Sequence, residues 1–279
     1  MLSRNVFTQV SLTELAVMKQ QFKKCQRVLN IFIVLCFGVV LFYAVFPAID
    51  QGQPGQKNYP FPGEFPFNPD DYYMWVYCGQ ILTVASSAWT NSAIDCLFQK
   101  HVTMATVFFQ ILCGRFRNVM DKLDENNEEI LRRIKKCVIY YNATIEYVSM
   151  IQNTFSYGIL IQFLCSVIII CLTVFQLSLV VDYNSTKFVL MIIYLLCMMF
   201  QVSLYCWYGH ILMEKSNEIT AACYAINWND LNLVNQKLLI IIMERAKRPV
   251  ELNALGVFKL NLSTMVTVRT RDYREMSKM

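Results

Sequence analysis

The chain has 279 residues, of which 56% are apolar and only 16% are charged, against about 25% charged residues in an ordinary soluble domain. Its 9 glycines and 7 prolines are too few for a disordered chain or a loop-rich β protein. The net charge of +5 does not indicate nucleic-acid binding, because no basic stretch is interleaved with aromatic residues. The composition therefore predicts an all-α protein whose partner is the lipid bilayer.

Long apolar stretches mark the predicted membrane-spanning helices. A helix needs about 20 residues to cross the roughly 30 Å hydrocarbon core, and four stretches reach that length: 29–48, 72–98, 151–181 and 188–213. The second stretch is the weakest, because Gln80, Asn91 and Asp95 interrupt it. A fifth stretch, 252–268, has 17 residues and includes Lys259, so we expect only a partial last membrane helix there.

The segments between these stretches complete a polytopic transmembrane helix bundle with cytoplasmic helical extensions. Residues 1–28 are too long and polar for a cleaved leader, so 29–48 is expected to act as an uncleaved anchor. The 49–71 loop holds five of the seven prolines, which exclude a helix. The remaining segments are a helical hairpin, a short turn, a helical region and a tail: 99–150, 182–187, 214–251 and 269–279.

Basic residues alternate in number along the chain and predict its orientation. Lys and Arg number five in 1–28, one in 49–71, eight in 99–150 and five in 214–251. Short loops rich in Lys and Arg stay in the cytoplasm. The N-terminus, the hairpin and the 214–251 region are therefore predicted to be cytoplasmic. Asn184 begins an Asn-Ser-Thr sequon in the predicted extracellular turn and is a candidate glycosylation site.

Cys206 and His210 form the pair that most resembles a reactive site. They are four residues apart, so they share one face of a helix. A zinc site needs three or four protein ligands, however, and the chain has only two histidines. The 11 cysteines are odd in number and lie mostly in apolar or cytoplasmic segments, where disulfides are rare. We therefore expect no metal and no cofactor, and, because no nucleophile is paired with a base, no enzyme.

Two polar residues within the 72–98 span are functional candidates, because polar groups are costly in a bilayer. Gln80 lies about two turns in from the outer face and could hydrogen-bond either a ligand or a neighbouring helix. Asp95 lies near the cytoplasmic end of the span. For Asp95 we favour a solvated carboxylate, or one paired with Lys or Arg, over a functional group.

Aromatic residues crowd the predicted outer halves of the spans, and two interpretations stay open. Such residues commonly form a belt at the membrane interface. They could instead line a hydrophobic pocket for a small apolar molecule, with tyrosine hydroxyls and Gln80 as the orienting polar groups. Tyr43 and Tyr194 lie deeper than a belt requires. The candidate ligand-binding residues are Phe42, Tyr43, Tyr77, Gln80 and Tyr194.

The region from 205 to 260 carries an ordered series of motifs: an aromatic-Cys-x-aromatic-Gly motif, a serine, Ala-x-Tyr before a tryptophan, an apolar helix, a basic-Pro pair, a glycine and Phe-x-Leu. These features correspond to Tyr205, Cys206, Tyr208, Gly209, Ser216, Ala222, Tyr224, Trp228, 238–241, 247–249, Gly256, Phe258 and Leu260. In this order they resemble the C-terminal region of the insect odorant (olfactory) receptor family. The upstream stretches "YPFPGEFPFNPDDYYMWVYCGQ" and "DCLF" also look like the family's, so the resemblance covers nearly the whole chain.

The resemblance implies a function and a set of partners. Family members are seven-helix proteins of the cell (plasma) membrane with a cytoplasmic N-terminus. They bind small volatile ligands and gate a cation channel as hetero-oligomers with a co-receptor. The 214–251 region would then pack against partner subunits. The residues expected at that interface are Tyr224, Trp228, Leu238, Leu239 and Phe258.

The chain also departs from the family pattern at its two ends. In this alignment 29–48 looks like the family's third helix, and the last helix runs into the charged stretch "RTRDYREMSKM". The chain is therefore expected to be truncated at both ends. The alternative function is a truncated, non-conducting membrane fragment or adaptor that only associates with full-length subunits.

Overall fold

A computed structural model describes residues 7, 10–49, 59–60, 63, 65–120, 127–179, 186–228, 231–254 and 258–260. In these ranges the chain is almost entirely helical, which confirms the all-α prediction. The helices are α1 (Leu12–Ile49), α2 (Tyr73–Arg117), α3 (Asn127–Leu179), α4 (Thr186–Tyr224) and α5 (Leu233–Ala246). Short 3₁₀ turns at Pro69–Tyr72 and Asn118–Met120 flank α2, and the two-residue strands β1 (Asn253–Ala254) and β2 (Phe258–Lys259) pair antiparallel.

The first four helices are long and apolar enough to cross a membrane. At 1.5 Å per residue the 53 residues of α3 extend for about 80 Å, far more than a hydrocarbon core requires. Exposed large apolar side chains recur along α3 every three or four residues, as a lipid-facing stripe would. They are Tyr157, Ile161, Leu164, Ile168, Leu172, Phe175 and Leu179. Such a stripe is unfavourable in water, so the fold is that of a multi-pass membrane protein with helical extensions.

The chain forms two compact units. Unit 1 comprises residues 1–25, 98–161 and 203–279, and unit 2 comprises 26–97 and 162–202. In unit 1, α2 and α3 pack through aromatic rings: the Phe108 ring meets those of Tyr140 and Tyr147 edge-on, at centroid distances of 6.1 and 5.5 Å. In unit 2, Phe32 is fully buried and its ring lies 6.4 Å from that of Phe200.

The start of α1 is fixed by a capping box that also binds α2. Glu14 accepts a hydrogen bond from the Ser11 N–H at 2.8 Å, and the Glu14 N–H donates to Ser11 Oγ at 3.3 Å. The same carboxylate accepts two hydrogen bonds from Arg115, Nε to Oε1 at 2.7 Å and Nη2 to Oε2 at 3.0 Å. Burial raises the pKa of the Glu14 carboxyl, but these hydrogen bonds and the charge of Arg115 outweigh burial and lower that pKa below its usual value.

The Glu14 pKa predicts how acid destabilises unit 1. A carboxyl whose pKa is lower in the folded state stabilises the fold above its unfolded pKa, and this stabilisation is lost as the pH falls through the folded pKa. The melting temperature of the detergent-purified protein should therefore fall less between pH 7 and pH 3 in Glu14→Gln than in the unmodified chain. Glu146→Gln, at an exposed position, should follow the unmodified chain. Identical acid profiles for Glu14→Gln and the unmodified chain would contradict the assignment.

The segment after α5 corrects one sequence prediction. A helix was expected over 252–268, but the described part of that stretch is extended and pairs Asn253 with Lys259. Its backbone groups form hydrogen bonds within the strand pair and with a side chain of α3, and not the hydrogen bonds of a helix. The Leu260 N–H donates to the Leu252 carbonyl at 2.9 Å, and the Ser156 hydroxyl donates to the Asn253 carbonyl at 3.3 Å. The prediction is therefore wrong for 252–254 and 258–260, and residues 261–268 lie outside the described ranges.

Gly209 lies where this extended segment meets α4. A Cβ atom on Gly209 would lie 2.8 Å from Leu260 Cβ and closer still to the Leu260 carbonyl oxygen. Leu252, Ala254 and Leu260 are all buried in unit 1. The glycine of the aromatic-Cys-x-aromatic-Gly motif therefore allows a backbone to pass within contact distance of the helix.

Candidate ligand-binding site

Tyr43 on α1 and Tyr194 on α4 meet within unit 2. Their ring centroids are 6.5 Å apart and the rings are nearly perpendicular, at 89°. This edge-to-face arrangement is favourable for aromatic side chains. Both residues are half-buried, so each keeps part of its surface exposed. The structure thus brings together the two tyrosines that were predicted to lie deepest.

Phe42 and Tyr77 occupy different environments from that pair. Phe42 immediately precedes Tyr43 in α1 and is 41% exposed. The Tyr77 hydroxyl donates a hydrogen bond to the carbonyl oxygen of Ala44. The Tyr77 ring also packs on Tyr73 at 5.7 Å. Tyr77 therefore ties the start of α2 to the chain beside Tyr43, and its hydroxyl proton is used in that link.

Gln80 lines a separate apolar groove of about 680 Å³ in unit 2, a volume typical of small-molecule sites. The other lining residues come from the end of the 49–71 loop and the first turns of α2. They are Phe65, Phe67, Tyr72, Trp75, Val76, Gly79, Thr83 and Val84. Phe42, Tyr43, Tyr77 and Tyr194 do not line this groove, so the structure does not bring the five predicted residues into one site.

The loop aromatics of the groove were not among the predicted ligand-binding residues. Phe67 contacts Phe65 at 5.5 Å and Tyr72 edge-on at 6.2 Å, which forms a small aromatic wall. The α2 residues that line the groove include Val76, Gly79 and Thr83, at a spacing of three or four. That helical spacing was present in the sequence and identifies the groove face of α2. Phe65 and Phe67 lie outside the helices, so helical spacing could not identify them.

The structure contradicts the prediction that Asp95 is solvated. It is only 2% exposed, so it is neither solvated nor at an open helix end. Gln201 Nε2 on α4 donates a hydrogen bond to Asp95 Oδ2 at 2.5 Å, and Gln201 is itself buried. Cys36 on α1 and Cys197 on α4 lie with their sulfurs 3.8 Å apart in the same unit. The carboxyl is partnered by an amide because both groups are removed from water.

The residues predicted at the subunit interface divide by exposure. Tyr224 is 73% exposed, and Trp228 and Leu238 are half-buried. Leu239 is fully buried within unit 1 and has no surface to offer a partner, so we reassign it to the core. The exposed apolar residues of α5 are Leu233, Val234, Ile240 and Ile241. The Phe258 side chain and Asn184 lie outside what the structure describes.

The Cys206 and His210 pair shows no geometry of a metal site. Cys206 is buried at 2% exposure among α4 residues such as Tyr205, whose ring stacks on Phe98 at 5.1 Å. Within the described residues, no group of three or more His, Cys, Asp or Glu side chains could hold a metal ion. The motif therefore contributes to the packing of α4 in the protein interior.

The long apolar helices and the lipid-facing stripe define a polytopic membrane protein, and its unit 2 contains an apolar groove of small-molecule size. A family model described as "7tm Odorant receptor" matches residues 3–270. The chain belongs to the odorant receptor family, a family of receptors and not of enzymes, and this confirms the resemblance inferred from the sequence.

Individual relatives support the same family. The chain is 22% identical to "Putative odorant receptor 92a" of Drosophila melanogaster over 263 residues, which cover 90% of this chain and 64% of the relative. It is 24% identical to "Odorant receptor 85f" of the same organism over 223 residues, 77% of this chain and 55% of the relative. The chain thus spans between about half and two thirds of the length of these relatives.

A solved structure shares the fold. The insect olfactory receptor OR5 from Machilis hrabei matches with a TM-score of 0.74 at 15% identity, over 92% of this chain and 65% of that one. The same receptor in complex with eugenol matches with a TM-score of 0.71, again at 15% identity, over 92% of this chain and 66% of that one. At such low identity the likeness establishes the helical fold alone.

Proposed function

We propose that this chain is an odorant receptor subunit that binds small volatile hydrophobic ligands and gates a cation channel together with a co-receptor. The observation that carries the proposal is the contact between Tyr43 and Tyr194, two half-buried rings from different helices in a member of this family. The complex of the Machilis hrabei receptor with eugenol, a small aromatic molecule, supports the same class of ligand for this chain.

The Tyr43–Tyr194 contact and the Gln80 groove both have a chemistry that suits such a ligand. Rings such as those of Tyr43 and Tyr194 offer large apolar contact area, and their hydroxyls can orient a single polar group. The Gln80 groove adds an amide within apolar walls. Ligand binding would shift a closed–open equilibrium by contacting one state better than the other.

Replacing Tyr43 or Tyr194 by alanine is expected to change which odorants the receptor prefers, while surface expression is retained. The reason is that each substitution removes one ring from a two-ring contact surface. Responses to a broad odorant panel, recorded with the co-receptor present, provide the measurement. Tyr157→Ala removes an exposed tyrosine of α3 and serves as the matched control. If Tyr43→Ala and Tyr194→Ala both keep the ranking of the unmodified chain, these residues do not contact the ligand.

The proposed partner surface comprises Tyr224, Trp228, Leu238 and Phe258, and α5 also exposes Ile240 and Ile241. Exposed apolar residues favour association with another subunit. The basic residues of 1–28, 99–150 and 214–251 support a cytoplasmic N-terminus, which would put the Asn184 sequon on the side where glycosylation occurs. Membership of the odorant receptor family supports delivery to the plasma membrane. Odorant-evoked current with the co-receptor tests the channel role. Surface delivery and co-receptor association without current would favour the non-conducting fragment or adaptor.

A further inference from the structure

Unit 1 contains a cavity of about 610 Å³, lined by several charged side chains, that the proposed receptor function does not use. Its walls come from the first turn of α1, the end of α2 with its 3₁₀ turn, and the start of α3. We call it the basic cavity. The charged groups that line it are Glu14, Arg115, Arg117, Arg133 and Lys136.

The charge of the basic cavity is strongly positive. Its lining holds four cations and one carboxylate, which leaves a balance of +3. The single carboxylate, Glu14, is already engaged by two hydrogen bonds from Arg115. Arg117 and Lys136 are exposed at the cavity. A cluster of this sign within a concave site concentrates anions.

Two of the guanidinium groups are held in place before any ligand arrives. Arg115 is fixed by Glu14, and its guanidinium carbon lies 4.6 Å from the centre of the Tyr140 ring. Arg133 Nη1 donates to the Val119 carbonyl at 3.3 Å, and Arg133 Nε lies 3.5 Å from Glu129. Arginines held in this way lose less side-chain freedom when they bind phosphate oxygens.

The depth of the basic cavity distinguishes between a lipid headgroup and a soluble anion. Arg117 lies 19 residues along α2 from Phe98, the predicted inner end of the span, or about 28 Å at 1.5 Å per residue. Arg133 lies 18 residues along α3 from Ile151, or about 27 Å. A headgroup layer is only about 5–8 Å thick on each side of the hydrocarbon core. Both distances exceed the thickness of the headgroup layer, so the cavity lies beyond the reach of a lipid headgroup.

We propose that the basic cavity binds a small soluble polyphosphate anion, of the class of inositol polyphosphates and nucleoside triphosphates. Several phosphates on one compact molecule match several cations around one cavity, and guanidinium groups bind phosphate oxygens in pairs. The bound anion would join the start of α1 to the α2–α3 hairpin. The charge distribution that predicts a cytoplasmic location for these segments places the cavity where such anions are abundant.

The test is a binding titration on the purified full chain in neutral detergent, with inositol hexakisphosphate as the probe. Saturable binding that raises the melting temperature is expected. Arg117→Gln with Lys136→Gln should weaken binding about 100-fold, because each removes a charge-assisted contact worth about a factor of ten or more. Both residues are exposed, so the double variant should fold, and its melting temperature without the probe verifies this.

The matched control is Lys100→Gln with Lys135→Gln, which removes the same charge from exposed positions of α2 and α3 outside the cavity. This control should bind within about three-fold of the unmodified chain, because a surface charge that makes no direct contact contributes little. Absence of saturable binding would overturn the proposal, as would equal losses in the two double variants. Binding to vesicles containing phosphatidylinositol 4,5-bisphosphate, without binding of the soluble probe, would overturn it in favour of a lipid site.

Discussion

Replacing Gly209 by alanine is expected to lower the melting temperature by about 2–12 °C. The added Cβ would overlap the backbone of Leu260, so either α4 or the extended segment must move. Overpacking of this kind costs about 1–3 kcal/mol, and a chain of this size loses about 2–4 °C per kcal/mol. The measurement is thermal unfolding of the detergent-purified protein.

A second glycine separates this effect from a general response of helical glycines. A Cβ on Gly158 of α3 would meet no atom within 4 Å. Gly158→Ala should therefore leave the melting temperature unchanged or raise it slightly, because alanine is the better helix former. Equal stability of Gly209→Ala and Gly158→Ala would mean that the contact between α4 and Leu260 contributes little to the fold.

Gly209 also shows which parts of the fold the sequence could predict. The motif around it carried the resemblance that the family model confirms. The sequence did not predict which segment approaches the glycine, because the described backbone of 252–254 and 258–260 forms hydrogen bonds with partners such as Ser156, which is distant in sequence. Long helices could be predicted from apolar length alone, whereas a two-residue strand pair carries no periodic signal.

The candidate ligand site followed the same division. Depth along each helix selected Tyr43 and Tyr194 as pocket candidates beside the alternative of an interfacial belt, and their rings meet in the structure. Gln80 was grouped with them as an orienting polar group, but the rotation of α2 places it in the groove with the loop aromatics. Depth can be counted along a sequence. The rotation of one helix against its neighbours depends on packing, which a single sequence does not state.

Replacing Gln201 by leucine is expected to destabilise unit 2 by about 1–3 kcal/mol. Asp95 is buried, and it would lose the amide that donates to its carboxyl oxygen. A buried polar group deprived of a partner retains most of its desolvation penalty, and a charged group retains more. The sequence could not predict this pairing, because the partners are 106 residues apart. Thermal unfolding in detergent measures the loss.

The reciprocal variant makes the test specific. Asp95→Leu should also be destabilising, because it leaves the Gln201 amide without this acceptor. The double variant Asp95→Leu with Gln201→Leu should be more stable than the sum of the single losses predicts, since replacing both partners by apolar groups removes the unmet hydrogen bond. Gln176→Leu makes the same change at an exposed position of α3 and should cause no loss. Additive losses in the double variant would show that Asp95 and Gln201 contribute independently, and that the membrane-spanning helices of unit 2 are held by apolar packing instead.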